Sequence, residues 1–368
     1  MKILYGVQGT GNGHITRARH MAEGFARRND IQVDYLFSGR KPNGYFDMQS
    51  FGNYQTSRGL TFVTNNGRVQ KRQTIAHNNV FYFATELKQR MVKNYDLIIN
   101  DFEPISAWAG KLSGVPSLSV SHQAAFLHQV PKHKQSLLDK AITQYFAPTQ
   151  YSLGTHWYHF GHQIIPPFVA RQCSKQTIEQ AVKPINIKSK AILVYLPFED
   201  TQLITEQLND LSDYLFICYH PAVTHAYYSQ NIHWRPLSTK AFKQDLVNCT
   251  GVIANCGFEL STECLSLGKA LLVKPLQGQY EQSSNAYTLQ TLGLCEVMHD
   301  LNSDEIDEWL QCKQGIKIDY PSNCDSFIDW IAEGDWQAPE AICKSLWQQV
   351  RFPDSLKDKL KHFQTAIE

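Results

Sequence analysis

The chain has 368 residues, 43% of them hydrophobic and 19% charged. That length is too great for one ordinary core and suits two domains of about 150 to 200 residues, while the composition excludes a disordered chain. With 35 Lys plus Arg against 34 Asp plus Glu, a net charge of +1, nothing in the balance points to a nucleic-acid partner.

The first element in chain order is an apolar run, Ile3 to Val7, which is of strand length. It is too short for a membrane span and lacks the plan of a signal peptide. The loop Gly9-Thr10-Gly11-Asn12-Gly13-His14 follows, then Ile15, Ala18, Met21, Ala22 and Phe25 at helical spacing. Strand, glycine loop and helix together form a setting in which backbone N–H groups can receive an anion. A Walker A loop would end in Gly-Lys-Ser/Thr, which is absent, and a dinucleotide fingerprint would have glycine where His14 stands. Ser38-Gly39-Arg40 lacks the acidic ribose ligand of an NAD enzyme, although Arg40 would suit a 2′-phosphate. At the mouth of the helix, Gly11, Asn12 and Gly13 would let a substrate approach His14, whose imidazole can take a proton near neutral pH. The alternative is a capping or loop-packing histidine.

Further strands are expected at Val33 to Gly39, Leu60 to Thr64, Tyr95 to Asp101, Pro116 to His122 and Gln163 to Ile165. Asp101 and Glu103 follow the fourth of these six, at the sheet edge where α/β enzymes place their sites, and either could act as a base or bind acceptor hydroxyls. Alternatively, Asp101 caps the helix that Pro104 begins. His156, His159 and His162 match no zinc-ligand spacing, so no metal site is expected. The basic stretch around Lys132, His133, Lys134 and Lys140 reads as a solvated loop or as a contact with an anionic membrane.

Pro166-Pro167 and the polar stretch to Lys190 read as a linker, giving domains at 1–166 and 190–345 joined by 167–189. Residues 346–368 are expected to form a helical tail that packs back on the first domain. The second half repeats the rhythm, with strands at Ala191 to Leu196, Tyr214 to His220, Ile232 to Leu237, Gly251 to Asn255, Ala270 to Lys274 and Leu294 to Met298. All nine cysteines lie after residue 170 without a CxxC pair, which fits reduced core thiols in a cytoplasmic protein.

The most informative stretch runs from Gly251 to Gly293. After the strand and Cys256-Gly257, a helix over Phe258 to Leu267 would turn its N-terminus toward the sheet edge, where a diphosphate can be held without a metal. Glu263, further along, could accept from a ribose diol. Gln279, Gln282 and Asn285 offer amides suited to sugar hydroxyls.

This stretch resembles the donor-binding region of GT-B glycosyltransferases, notably the MurG-like group, and the glycine loop ending in His14 resembles that group's N-terminal loop. Asp101-Phe102-Glu103-Pro104 and Gly278-Gln279-Tyr280-Glu281-Gln282 are similar to a set of predicted bacterial and archaeal glycosyltransferases. The resemblance implies an α/β fold of two doubly wound, Rossmann-like domains facing each other across a cleft. It also implies sugar transfer from a nucleotide-sugar donor, with UDP the favoured carrier and no cofactor or metal. The acceptor would be an unspecified hydroxyl, including an envelope glycan or a lipid-linked one. Gly257 and the helix start at Phe258, Glu259 and Leu260 would then meet the diphosphate, Glu263 the ribose, and Gln282 with Gln279 the transferred sugar, in an inverting reaction with His14, Asp101 or Glu103 as base. Two departures are visible: Leu196-Pro197-Phe198-Glu199 stands where a glycine-rich loop is expected, and Ala270 follows Lys269 where proline is expected. A non-hydrolysing sugar-nucleotide epimerase or a sugar-nucleotide-binding protein without catalysis would share the architecture.

Overall fold

In the computed structural model, residues 1–90, 92–170 and 191–364 are described. Most of the expected linker, from 171 to 189, lies outside them.

The first half forms a seven-stranded sheet in the order β3-β2-β1-β6-β7-β8-β9, all parallel. Its strands are β1 (Lys2–Gln8), β2 (Gln32–Ser38), β3 (Gln55–Ser57), β6 (Leu97–Asp101), β7 (Ser117–Ser121), β8 (Tyr151–Thr155) and β9 (Ile164–Ile165). A short hairpin, β4 (Thr64–Asn65) with β5 (Arg68–Val69), stands apart. The second sheet runs β12-β13-β11-β10-β14-β15-β16. It comprises β10 (Ala191–Tyr195), β11 (Leu215–Tyr219), β12 (Tyr227–Ser229), β13 (Ile232–Arg235), β14 (Gly251–Ala254), β15 (Ala270–Val273) and β16 (Glu296–Val297), with β12 its antiparallel edge. Central strands such as Leu97–Asp101 and Gly251–Ala254 are buried along their whole length, as parallel strands covered by helices on both faces must be.

Three elements differ from expectation. Leu60 to Thr64 is not a sheet strand: Gly59, at φ +58°, breaks the extended path, and the edge strand is the preceding polar Gln55–Ser57. β8 and β12 carry too little apolar pattern to be read from sequence. Within β8, Gly154 packs against the Ala125 backbone of the short helix His122–Ala125, where any Cβ would lie 2.6 Å from it. The chain also returns to the first sheet earlier than position 346. Phe327, Ile328 and Ile331 of the helix Asp325–Glu333, with Ile342 and Leu346 of Glu340–Trp347, pack into the core under β1, β2 and β6. Each such side chain contributes roughly 1.5–3 kcal/mol on burial. Gly24 permits the approach, since a Cβ there would meet Ile328 at 2.2 Å. The last helix, Asp354–Gln364, then crosses to the second half, where Leu356 and Leu360 join Leu289 and Leu292.

Both sheets reverse strand order beside their first strand, between β1 and β6 and between β10 and β14. Ligand sites in open α/β sheets lie outside the carboxyl ends of the strands at such points. Here the two edges face each other. Trp157 and Phe126 from the first half share one core cluster with Phe258 and Leu289 from the second.

Candidate active site

The first crevice is built from the glycine loop and the end of β6. His14 lies in the first turn of the helix Asn12–Phe25, whose glycine cap, Gly11, supplies no side-chain hydrogen bond. The imidazole Nδ1 is 2.8 Å from Asp101 Oδ1. Arg17, one turn on, donates to both oxygens of Asp101 at 2.8 Å and, through Nη1, to Glu259 Oε1 at 2.7 Å. Burial pushes the Asp101 carboxyl upward, but Arg17 and His14 outweigh it and hold the group below the usual carboxylate range. An ionised Asp101 can only accept, so His14 donates to it from Nδ1, with Arg17 Nη2 also 3.2 Å from Nδ1. Asp101 is wholly buried and bound on both oxygens, so its part is to orient His14.

Glu103 is excluded as the base. It is the N-cap of the helix Pro104–Ser113, accepting from Ile105 N at 2.8 Å, Ser106 N at 2.6 Å and Ser38 Oγ at 2.6 Å, with no exposure to solvent. The capping role considered for Asp101 belongs to this carboxylate two residues later, because Phe102 takes φ +54° and turns the chain between them.

Gln123, which the sequence did not single out, donates from Nε2 to Glu281 Oε2 at 2.8 Å and lies 3.4 Å from His14 Nε2. It thus connects the imidazole to the second domain. Its one sequence signal is its position just after β7, at the same sheet edge as Asp101.

The opposing crevice is formed by Gly257 and the helix Phe258–Leu267. Gly257 caps that helix without a side-chain bond, and nothing lies within 4 Å of a Cβ built there, as is also true of Gly11. Two sets of unfilled helix N–H groups therefore open on the cleft. Glu263 is half-buried and has no hydrogen bond among the described residues. Its carboxyl is raised by burial, with Lys243 opposing.

The amides are partly committed elsewhere. Gln279 caps the helix Tyr280–Leu292 by accepting from Gln282 N at 2.7 Å and donates from Nε2 to Glu281 Oε2 at 3.4 Å, while Gln282 Oε1 accepts from Leu276 N at 2.8 Å. Asn285 is fully buried, 2.6 Å from His122 Nε2 and donating to Cys256 O at 3.0 Å. It ties the two halves together and is not open to a ligand. Phe258 stacks on His122 at 4.0 Å between ring centres, leaving its backbone for the cleft. The hairpin β4–β5 also crosses to the second half, with Gly67 N donating to Phe198 O at 2.7 Å and Val69 N to Gln277 O at 3.0 Å.

Glu259 couples the halves electrostatically. Burial, opposed by Arg17 and reinforced by Asp101 and Glu263, pushes its carboxyl from 4.5 up to about 7. Between those values the folded chain holds more protons than the unfolded one, so this group makes stability fall as pH rises from about 4.5 to 7. Glu259→Gln should remove that fall, making the variant's stability relative to wild type rise by about 1–3 kcal/mol across the window. Urea titrations at pH 5 and pH 7.5 measure it; equal pH dependence in both proteins would refute the assignment.

A family model described as glycosyl transferase family 1 matches residues 1–312. No curated protein matches the chain. Among solved structures, the chain is similar to the glycotransferase of kitacinnamycin, with TM-score 0.57 and 14% identity over 84% of this chain and 89% of that one. It is similar to Arabidopsis thaliana UGT89C1 complexed with UDP, at 0.54 and 14% over 84% and 89%, and to Acinetobacter baumannii MurG, at 0.51 and 13% over 84% and 90%. These likenesses show a GT-B fold. Among the described residues no helix is long and apolar enough to cross a membrane.

Proposed function

Because the chain belongs to glycosyl transferase family 1, we propose that it transfers a sugar from a UDP-sugar donor to an acceptor hydroxyl, inverting the anomeric centre without a metal. The observation that carries this reading is the His14–Asp101 pair facing the glycine-capped helix Phe258–Leu267. His14 Nε2 takes the acceptor proton as the hydroxyl attacks the anomeric carbon from the side opposite the leaving group. Asp101 and Arg17 keep the imidazole in the tautomer that leaves Nε2 basic. As the glycosidic bond breaks, negative charge builds on the departing diphosphate, and the glycine-capped start of the helix at Phe258 to Leu260, open beside Gly257, supports a role for its N–H groups in stabilising that charge.

The unpartnered carboxylate of Glu263 fits the ribose diol, and the NH₂ groups of Gln279 and Gln282, with Glu281, fit the transferred sugar. The acceptor side adjoins the helix Leu137–Tyr145, where Leu137, Leu138, Ile142 and Tyr145 are exposed beside Lys134 and Lys140. That surface suits an anionic membrane face and a lipid-linked or envelope-glycan acceptor met from the cytoplasm.

A thermal-shift screen of nucleotide sugars, followed by NMR of the anomeric product with the stabilising donor, tests the reading. Glu263→Ala should weaken donor binding about tenfold, the equivalent of one lost pair of hydrogen bonds to the ribose. Interconversion of the donor sugar without an acceptor would point to an epimerase instead. Retention of configuration would refute direct displacement.

A further inference from the structure

Arg40 follows β2 and reaches over the glycine loop. Nη1 donates to Asn12 Oδ1 and to Gly44 O, both at 3.1 Å, and Nη2 donates to Thr10 O at 3.1 Å. The guanidinium also lies over the Tyr45 ring, 5.3 Å from its centre. Every one of these partners is neutral. Among the described residues no carboxylate pairs with Arg40, whereas Arg17 is paired with two and Arg235 with one. Burial holds the group below the ordinary arginine value, opposed by the Tyr45 and Tyr195 hydroxyls alone. It stays cationic at any physiological pH. A half-buried cation whose charge is matched by no anion is a costly arrangement unless a ligand supplies the anion.

Its position says which ligand. Asn12, held by Arg40, donates across the cleft to Tyr195 Oη at 3.3 Å. Tyr195 ends β10 and pairs in register with Ala254, the last residue of β14, from which the chain runs directly to the Gly257 cap. Arg40 and Asn12 therefore face the strand end whose loop, Leu196-Pro197-Phe198-Glu199, lacks glycines and offers no phosphate cradle. Next to Asn12, no atom lies within 4 Å of a Cβ built on Gly11.

We infer that Arg40, contributed by the first domain, is a ligand of the donor diphosphate, supplying across the cleft the contact that the loop after β10 does not make. The inference rests on the nucleotide-sugar reading above. It makes the donor site a joint product of both domains: Phe258 to Leu260 meet the diphosphate from one side and the Arg40 guanidinium from the other, with Asn12 fixing the fork. Arginine is suited to this because its planar donors can meet two phosphate oxygens at once.

Calorimetric titration of the full chain with UDP and with uridine, for wild type, Arg40→Gln and Arg40→Lys, tests it. Arg40→Gln should weaken UDP about tenfold or more and leave uridine within about twofold, with Arg40→Lys between, as loss of a charge-assisted contact to phosphate requires. Unchanged UDP affinity in Arg40→Gln overturns the inference. So does a parallel loss of UDP and uridine, which would mark Arg40 as a scaffold for the glycine loop. Thermal melts of the three proteins without ligand identify a variant that fails to fold, and Arg40→Lys then carries the comparison. If wild type binds neither UDP nor GDP, ADP or dTDP, the donor reading itself fails and the inference falls with it; wild-type binding with no effect of Arg40 refutes the inference alone.

Discussion

His14→Ala is expected to lower kcat by about 10²–10⁴-fold while leaving the Kd for the donor within about threefold. The asymmetry follows from where the residue sits. Its Nδ1 is committed to Asp101 and its Nε2 lies 3.4 Å from Gln123 Nε2, on the side proposed to receive the acceptor. In the proposed reading the diphosphate is met instead by the helix Phe258–Leu267 and by Arg40. A variant that loses the base therefore loses an interaction made in the transition state and keeps those made in the ground state. Steady-state kinetics of UDP release, with calorimetry for donor binding, separate the two. His14→Gln should resemble alanine, because the amide keeps size and hydrogen bonding without proton affinity. Weakened donor binding with unchanged kcat would remove His14 from the catalytic role.

Arg17→Met should cost about 3–5 kcal/mol of stability, the usual consequence of removing one partner from a buried ionic cluster. The arginine is 9% exposed and serves two carboxylates from opposite domains, Asp101 and Glu259, both of them buried. Without it Asp101 has His14 as its one ionic partner, and burial then favours uptake of a proton. A neutral Asp101 no longer fixes the imidazole, so turnover falls as well. Arg17→Lys should give an intermediate loss, because an ammonium cannot reach both oxygens of Asp101 and still span to Glu259. Urea unfolding measures the stability, and a loss under about 1 kcal/mol for Arg17→Met would show that the network adds nothing beyond packing.

Arg17 also illustrates what is hard to read along a chain. It occupies a helix position that pattern alone marks as an ordinary solvent-facing cation, yet its partners lie 84 and 242 residues away. Gln123 was hidden for the same reason, since it acquires its meaning from residues on other elements. The acidic pair shows a local version of the problem. Asp101 and Glu103 are interchangeable as letters, and the positive φ of Phe102 divides their labour, sending one to a histidine and the other to the end of a helix.

What the sequence by itself determined was the two-sheet α/β plan and the glycine-flanked edges: apolar runs at βα spacing can be buried in few ways, and Gly11 to His14 and Gly257 to Glu263 carry local signals that survive without context. Tertiary structure alone decided which side chains are free to meet a ligand. It spends Asn285 on His122 and Glu103 on a helix cap, leaves Glu263 open, and holds Arg40 without an anion at the cleft. The reason is physical. A hydrogen bond or a charge is satisfied by whatever lies within about 3 Å of it, and that neighbourhood exists only once the two sheets are folded edge to edge.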